Sequence, residues 1–390
     1  MAQRVSEVVT LARAAVGACE GGALVAEALG DARASSVAAT VWAVGKAARA
    51  MARDFPSAWI VDASSAGHPL PDERSVAAAE HLLMAARALP ATARALLLLS
   101  GGASALVGAP VDGLTLDELR AATAALLRGG ASIHESNVVR RHLTKLGGGK
   151  LAAACAGAID VLALSDVAGD DPATIGSGPA SPEPATRAEA LALARKYSLP
   201  DAALRALERV GENPRAGDPV FARGSYRVLA SPETLREAAA RVLAADGRRV
   251  IVWPRLVAGD VEELAAELAV EGRRLPRGAA IVAVGEPTVR VRGNGVGGRA
   301  QQLALSLVAP LGSTSACFVA LGSDGRDGPT DAAGAFVDGG TLGRCAARGI
   351  DVAGALARCD SNRALAAVGA AIPRFDSGTN LTDLYILVSG

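Results

Sequence analysis

Apolar and polar positions follow two periods along this chain. Residues 3–19 and 21–34 are Ala-rich, with apolar side chains at helical spacing. Between stretches of that kind stand short continuous apolar runs. They are residues 37–44 (VAATVWAV), Trp59–Val61, Leu96–Leu99, Ile159–Leu164, Tyr226–Ala230, Val250–Trp253, Ala279–Val284, Ala316–Leu321 and Leu384–Val388. Such runs read as strands covered on both faces, as in a parallel sheet. Capping boxes at Thr115-x-x-Glu118 and Thr186-x-x-Glu189 open helices, as do Asp260-x-x-Glu263 and Ser231-Pro232-Glu233. Val289–Arg292 alternates like a half-buried strand. Strand and helix signals alternate throughout, which predicts an α/β fold with a largely parallel sheet. Residues 208–224 are rich in Pro, Gly and Arg and read as a linker or hairpin, so the domain cut is expected near 210–232.

The strand ends are polar and rich in Gly, Ser and Asp. Leu96–Leu99 runs into Ser100-Gly101-Gly102-Ala103-Ser104, where two glycines allow a sharp turn. Ligands in open α/β sheets sit beyond the carboxyl ends of strands, and N–H groups there make an anion cradle. An ordinary strand-to-helix turn fits the same residues equally well. The first long run ends in Gly45-Lys46 before a helix, which puts a lysine where phosphate is welcome, without P-loop spacing. His68 lies in a Gly-Pro loop, as a ligand-facing donor or a local hydrogen-bonding residue. A dense polar segment holds Asn137 and Arg140 and leads to Lys145-Leu146-Gly147-Gly148-Gly149-Lys150, an oxyanion site or a helix–helix turn. Asp166, Asp170 and Asp171 follow the strand at 159–164 and suit either a hard cation or turn chemistry. Ile175-Gly176-Ser177-Gly178-Pro179 adds a second Ser-Gly loop and favours function. Gly293, Gly295 and Gly298 fit G-x-G-x-x-G ahead of a helix, and Asp324, Asp327 and Asp331 are interleaved with glycines.

Composition narrows the classes. Net charge is zero, which argues against a nucleic-acid or membrane-surface role. The five cysteines are scattered, as expected of small buried hydrophobes in a reducing compartment. Arg4, Glu7, Arg13 and Glu20 break the amino terminus, so a signal peptide is not expected. No uncharged apolar run reaches membrane-spanning length. A soluble cytoplasmic protein is expected. Only four lysines stand among 36 arginines, and Lys46, Lys145 and Lys150 lie in glycine-bearing stretches. Lysine offers a compact ammonium that arginine does not imitate in a tight phosphate site.

Five stretches together resemble the glycerate 2-kinases of the GckA/TtuD, MOFRL-containing type. They are LLLLSGGASAL, SNVVRRHLTKLGGGKLA, LSDVAGDDPATIGSGPASPEPAT, GEPTVRVRGNGVGGRAQQLAL and GSDGRDGPTDAAGA. The likeness covers nearly the whole chain in the right order. It implies a larger Rossmann-like α/β domain with a mainly parallel sheet over residues 1–231. A smaller MOFRL-type α/β domain would span 232–390, with the last segment packing back on the first domain. It implies ATP- and Mg²⁺-dependent phosphorylation of D-glycerate at the 2-hydroxyl, giving 2-phospho-D-glycerate. Some relatives are labelled hydroxypyruvate reductase. An NAD(P)H-dependent reductase is therefore the alternative, supported by Gly293–Gly298. Departures from the family pattern stand at Ala180, Ala300, Arg326 and Asp376–Asn380.

On this reading Lys46, Asp166, Arg299 and Asp324 are catalytic. Ser100, Gly101, Gly102, Ser104, Asn137, Arg140, Gly148, Gly295 and Gly298 bind substrate or phosphate. Asp166 and Asp170 hold Mg²⁺. The expected site is an interdomain cleft that takes D-glycerate and ATP, in a monomer or homodimer with no nucleic-acid or membrane partner.

Overall fold

A computed structural model describes residues 2–30, 40–312 and 314–390. Residues 37–39 of the first expected strand lie outside them, as do 31–34 of the second Ala-rich stretch. The strands are β1 (Thr40–Val44), β2 (Trp59–Val61), β3 (Arg94–Leu99), β4 (Ala158–Leu164) and β5 (Tyr226–Ala230). They continue with β6 (Arg249–Val252), β7 (Ala279–Gly285), β8 (Cys317–Gly322), β9 (Ala332–Asp338), β10 (Ala371–Pro373) and β11 (Asp383–Val388).

Contacts divide the chain into two compact units, Gly21–Leu229 and Met1–Glu20 with Ala230–Gly390. The first unit holds a five-stranded sheet in the order β2-β1-β3-β4-β5. β1 runs parallel to β2 and to β3, and β3 parallel to β4. The central strands are covered on both faces, as expected: Ala95–Leu99 is buried throughout, whereas the edge strands β2 and β5 are largely half-buried. A helical layer packs around Leu119, Leu126, Val139, Leu143, Ala194 and Leu207. Two of its helices, Leu116–Arg128 and Arg187–Lys196, open on the expected boxes at Thr115 and Thr186. Residues 208–224 belong to this unit and include a short 3-10 turn, Pro219–Ala222.

The second unit departs from the expectation of parallel pairing. Its sheet has the order β10-β9-β8-β11-β7-β6, and only β6 and β7 pair in parallel. β11 inserts between β7 and β8, antiparallel to both. The last segment therefore completes this sheet rather than returning to the first unit. β9 and β10 form an antiparallel pair that the chain's periodicity did not announce. Val289–Arg292 forms no strand.

The first helix, Ala2–Gly17, groups with residues 230–390 rather than with the first domain. It packs on the helix Pro232–Ala245 and buries Val8, Ala12, Ala15 and Val16 completely. Ser6–Leu29 has the length to cross a membrane but carries Glu7, Arg13, Glu20 and Glu27, so it is not an uncharged run of the kind whose absence was expected. The chain breaks that stretch into two helices after Gly17.

Candidate active site

In the first unit, β1 and β3 are in register with Val44 opposite Leu99, so their carboxyl-end loops lie side by side. The Lys46 N–H donates to the Gly101 carbonyl at 3.0 Å, and the Ala47 N–H donates to Ser100 Oγ at 3.1 Å. Ser100 is fully buried. Its hydroxyl and the Gly101 carbonyl thus join the two loops. Gly45, at φ +133°, has no room for a Cβ because Ser100 fills that space.

Gly102 sits at φ +85° and precedes the short helix Ala103–Leu106. A Cβ there would stand 3.2 Å from His68 Nε2 and 3.3 Å from Lys46 Cγ. The bare glycine therefore lets the histidine and the lysine converge above the end of β3. Two residues on, Ser104 Oγ accepts a hydrogen bond from Arg140 Nη2 at 3.1 Å. Arg140 has no carboxylate partner among the described residues, and burial pushes its guanidinium below its ordinary value. A half-buried arginine with only a neutral hydroxyl beside it can take an anion.

The helix Ile133–Leu143 supplies that arginine. It opens on a capping box between Ser132 and Glu135. Asn137 and Arg140 are three residues apart and so share a face, with Asn137 buried. Arg141, one position on, turns into the core and pairs with Glu183 at 2.6 and 2.7 Å; both side chains are at most 1 % exposed. The Lys150 ammonium donates to the Arg141 carbonyl at 2.7 Å, and burial pushes Lys150 down to about 7.

The triple glycine belongs to this network. Gly148 N–H donates to the Ser177 carbonyl at 2.9 Å and Gly149 N–H to that of Gly178 at 2.7 Å. A side chain at Gly148 would strike Asn213 and Glu183. Gly148 is a packing residue, and its assignment to phosphate is withdrawn.

Beyond β4, Asp170 adopts φ +53°, and its Oδ1 is buried without a hydrogen-bond partner. Asp171 by contrast is spent on its own turn, accepting from Ala173 N–H at 3.1 Å and Thr174 Oγ1 at 2.8 Å. Asp166 stands four residues before Asp170 in the same loop. Among the described residues no three His, Cys, Asp or Glu side chains gather as a metal cage.

In the second unit Arg299 opens the helix Arg299–Leu307. Its guanidinium donates to Asp383 at 2.5 and 3.2 Å and to Glu286 at 2.6 Å. Asp383 pairs in register with Gly285 and with Gly322, so the cluster sits where β7 and β8 end. Burial pushes Asp383 up to about 7, against the pull of Arg299. Tyr385 Oη donates to Asp383 Oδ2 at 3.0 Å. Asp324 follows β8 and accepts from the Arg326 N–H at 3.0 Å.

The amino terminus of that helix is already occupied. Asp327 accepts from the N–H groups of Ala300 (3.0 Å) and Gln301 (2.8 Å) and from Gln301 Nε2 (2.9 Å). Gly298 lacks a Cβ because the Asp327 carboxylate fills that space. Gly295 N–H donates to the Arg358 carbonyl at 3.0 Å, and a Cβ there would strike Arg358 and Asp360. Gly295 and Gly298 therefore serve close packing, and the helix amino terminus they precede holds the chain's own Asp327 carboxylate. Glu286, Asp327 and Asp383 were not singled out for these roles. Asp327 stood within a noted aspartate cluster, but its partner lies 26 residues away in sequence.

Two family models match the chain: a domain of unknown function (DUF4147) over residues 7–210 and the MOFRL family over 279–383. Over 344 residues the chain is 34% identical to the glycerate 2-kinase of Pyrococcus horikoshii, covering 83% of this chain and 77% of that protein. It is 35% identical over 330 residues to the D-glycerate 2-kinase of Thermotoga maritima, covering 82% and 78%. The chain belongs to the glycerate 2-kinase family. The crystal structure of the glycerate kinase from Thermotoga maritima superposes with a TM-score of 0.87 at 30% identity, covering all of both chains. An Agrobacterium vitis protein named only provisionally as a hydroxypyruvate reductase is 35% identical over 379 residues, covering 89% of this chain and 86% of that one. Such names accompany membership of the glycerate 2-kinase family. The glycine motif that supported a reductase here holds an internal carboxylate instead.

Proposed function

We propose that this glycerate 2-kinase family member transfers the γ-phosphoryl group of ATP to the 2-hydroxyl of D-glycerate. The observation that carries the reading is Arg140, a half-buried guanidinium with no carboxylate partner among the described residues, bonded to Ser104, itself two residues from the Lys46–Gly102–His68 junction. A guanidinium fork suits a carboxylate, so Arg140 and Ser104 would hold that of glycerate. Asn137, on the same helix face, would meet a hydroxyl. Phosphoryl transfer asks a protein chiefly for positioning and charge neutralisation. Lys46 would neutralise charge on the transferring group. His68, against the same glycine, would hydrogen-bond the attacking hydroxyl and take its proton.

The chemistry of the 166–170 loop fits Mg²⁺. The ion prefers hard oxygens and takes one or two carboxylates, completing its shell with water and phosphate. Asp170 Oδ1, buried and without a partner, is such an oxygen, and Asp166 would be the second. When bound, Mg²⁺ neutralises charge on the phosphates. In the second unit Arg299, held by Asp383 and Glu286 at the strand ends, would serve an anionic group, with Asp324 at the end of β8. The five cysteines form no disulfide, in keeping with a cytoplasmic enzyme acting on small molecules.

The test of this reading is Arg140→Ala in a steady-state assay with D-glycerate, ATP and Mg²⁺. Charge-assisted hydrogen bonds are worth about 1.5–3 kcal/mol, so KM for glycerate should rise on the order of tenfold to a hundredfold, with KM for ATP little changed. An unchanged glycerate KM would remove Arg140 from the site.

A further inference from the structure

A second cavity, of about 640 Å³, opens within the first unit, and none of the residues assigned above to glycerate or Mg²⁺ lines it. Its charged lining is Arg87, Lys145, Lys150 and Arg209 against Asp112 and Glu212. The two acids are paired away from Arg87 and Arg209. Asp112 faces Lys145 at 3.2 Å, and Glu212 lies 3.9 Å from Arg187, outside the cavity, and accepts that residue's N–H at 2.9 Å. Arg87 and Arg209 have no ion-pair partner among the described residues. Arg209 is the last residue of the helix Asp201–Arg209 and Arg87 lies in the last turn of Glu73–Ala88. Both are held at the ends of rigid elements.

We propose that this cavity is a binding site for a small organic phosphate monoester, separate from the Ser104–Arg140 cluster. With Lys145 paired to Asp112, the two guanidinium forks of Arg87 and Arg209 remain without a carboxylate among the described residues, and two such forks match a phosphate dianion. The volume is more than a bare phosphate fills and suits a group of a few carbons attached to it.

Isothermal titration of the intact protein with glycerol 3-phosphate tests the site without any turnover, so its outcome is independent of the kinase reading. Glycerol serves as the neutral control and inorganic phosphate as the bare anion. The expected result is binding of glycerol 3-phosphate at least tenfold tighter than inorganic phosphate, and none of glycerol. The double variant Arg87→Ala/Arg209→Ala should weaken it at least tenfold, and Arg209→Glu alone should do the same. Arg140→Ala should leave it unchanged. Both arginines are exposed, and unchanged melting of the variants shows that the fold is kept. Absence of binding, equal affinity for inorganic phosphate, or a loss that follows Arg140→Ala instead of the cavity variants overturns the proposal.

Discussion

Replacing Asp327 with alanine removes one carboxylate that closes the amino terminus of the helix Arg299–Leu307. Three donors lose their acceptor: the N–H groups of Ala300 and Gln301 and the Gln301 side-chain amide. Asp327 is 4 % exposed, so water does not replace it. A hydrogen bond to a charged group contributes about 1.5–3 kcal/mol, and loss of a helix cap alone costs about 1 kcal/mol. Simple addition overcounts, because Gln301 Nε2 keeps Thr330 Oγ1 at 3.1 Å. Burial also raises the pKa of Asp327, a cost that disappears with the carboxylate. A net loss of about 3 kcal/mol remains, near the upper end of ordinary single substitutions. For a unit of this size that lowers Tm by roughly 6–12 °C. Arg299 is the first residue of the loosened turn, so kcat should fall as well. Calorimetric melting of Asp327→Ala and Asp327→Asn, with turnover measured on each, checks both effects. The asparagine keeps one acceptor and should recover about half the loss. A Tm within about 2 °C of wild type for Asp327→Ala would refute the capping role, since a lost cap alone costs about 1 kcal/mol, or roughly 2–4 °C in a unit of this size.

Lys46→Ala should lower kcat by about 10²–10³, the usual weight of a charged donor at a transferring group, and near-normal turnover would exclude it from the chemistry. Gly102→Ala meets His68 and Lys46 and forces φ +85° on a side chain, at a cost of about 1–2 kcal/mol in stability. Its kcat/KM should fall by more than its stability explains; full activity would show that the two side chains need not approach that glycine. Hydrogen bonds from Lys196, the Ser132 N–H and Tyr197 hold Glu135 down at about 2, against an ordinary 4.5. The unfolded chain binds the proton first, so this stabilisation is complete above pH 4.5 and is lost as pH falls toward 2. Urea titrations should show that Glu135→Gln flattens stability across that window, and an unaltered slope would contradict it.

The first unit was largely legible because its central strands are buried on both faces and read as continuous apolar runs. Leu96–Leu99 and Ile159–Leu164 are examples, and Thr115 and Thr186 marked helix starts through local contacts three residues long. The second unit was less legible. β9 contains Gly334 and small residues, and β10 is three residues long, so neither has a clear period. The apolar face of Ala2–Gly17 carries no mark of which unit it covers. Among the residues proposed for the site, Lys46 and Ser104 stood out at strand ends and Arg140 in its polar segment. The glycine motifs misled because a missing Cβ serves two purposes: it admits a ligand, or it admits a neighbour such as Asp327 or Glu183. Only three-dimensional contact separates the two.

Phosphorus NMR of the purified protein with D-glycerate, ATP and Mg²⁺, run beside an NADH assay with hydroxypyruvate, tests the central claim most directly. The expected result is 2-phosphoglycerate and ADP in equal amounts, with NADH untouched. Oxidation of NADH without formation of ADP, or ATP left intact beside glycerate, would contradict it.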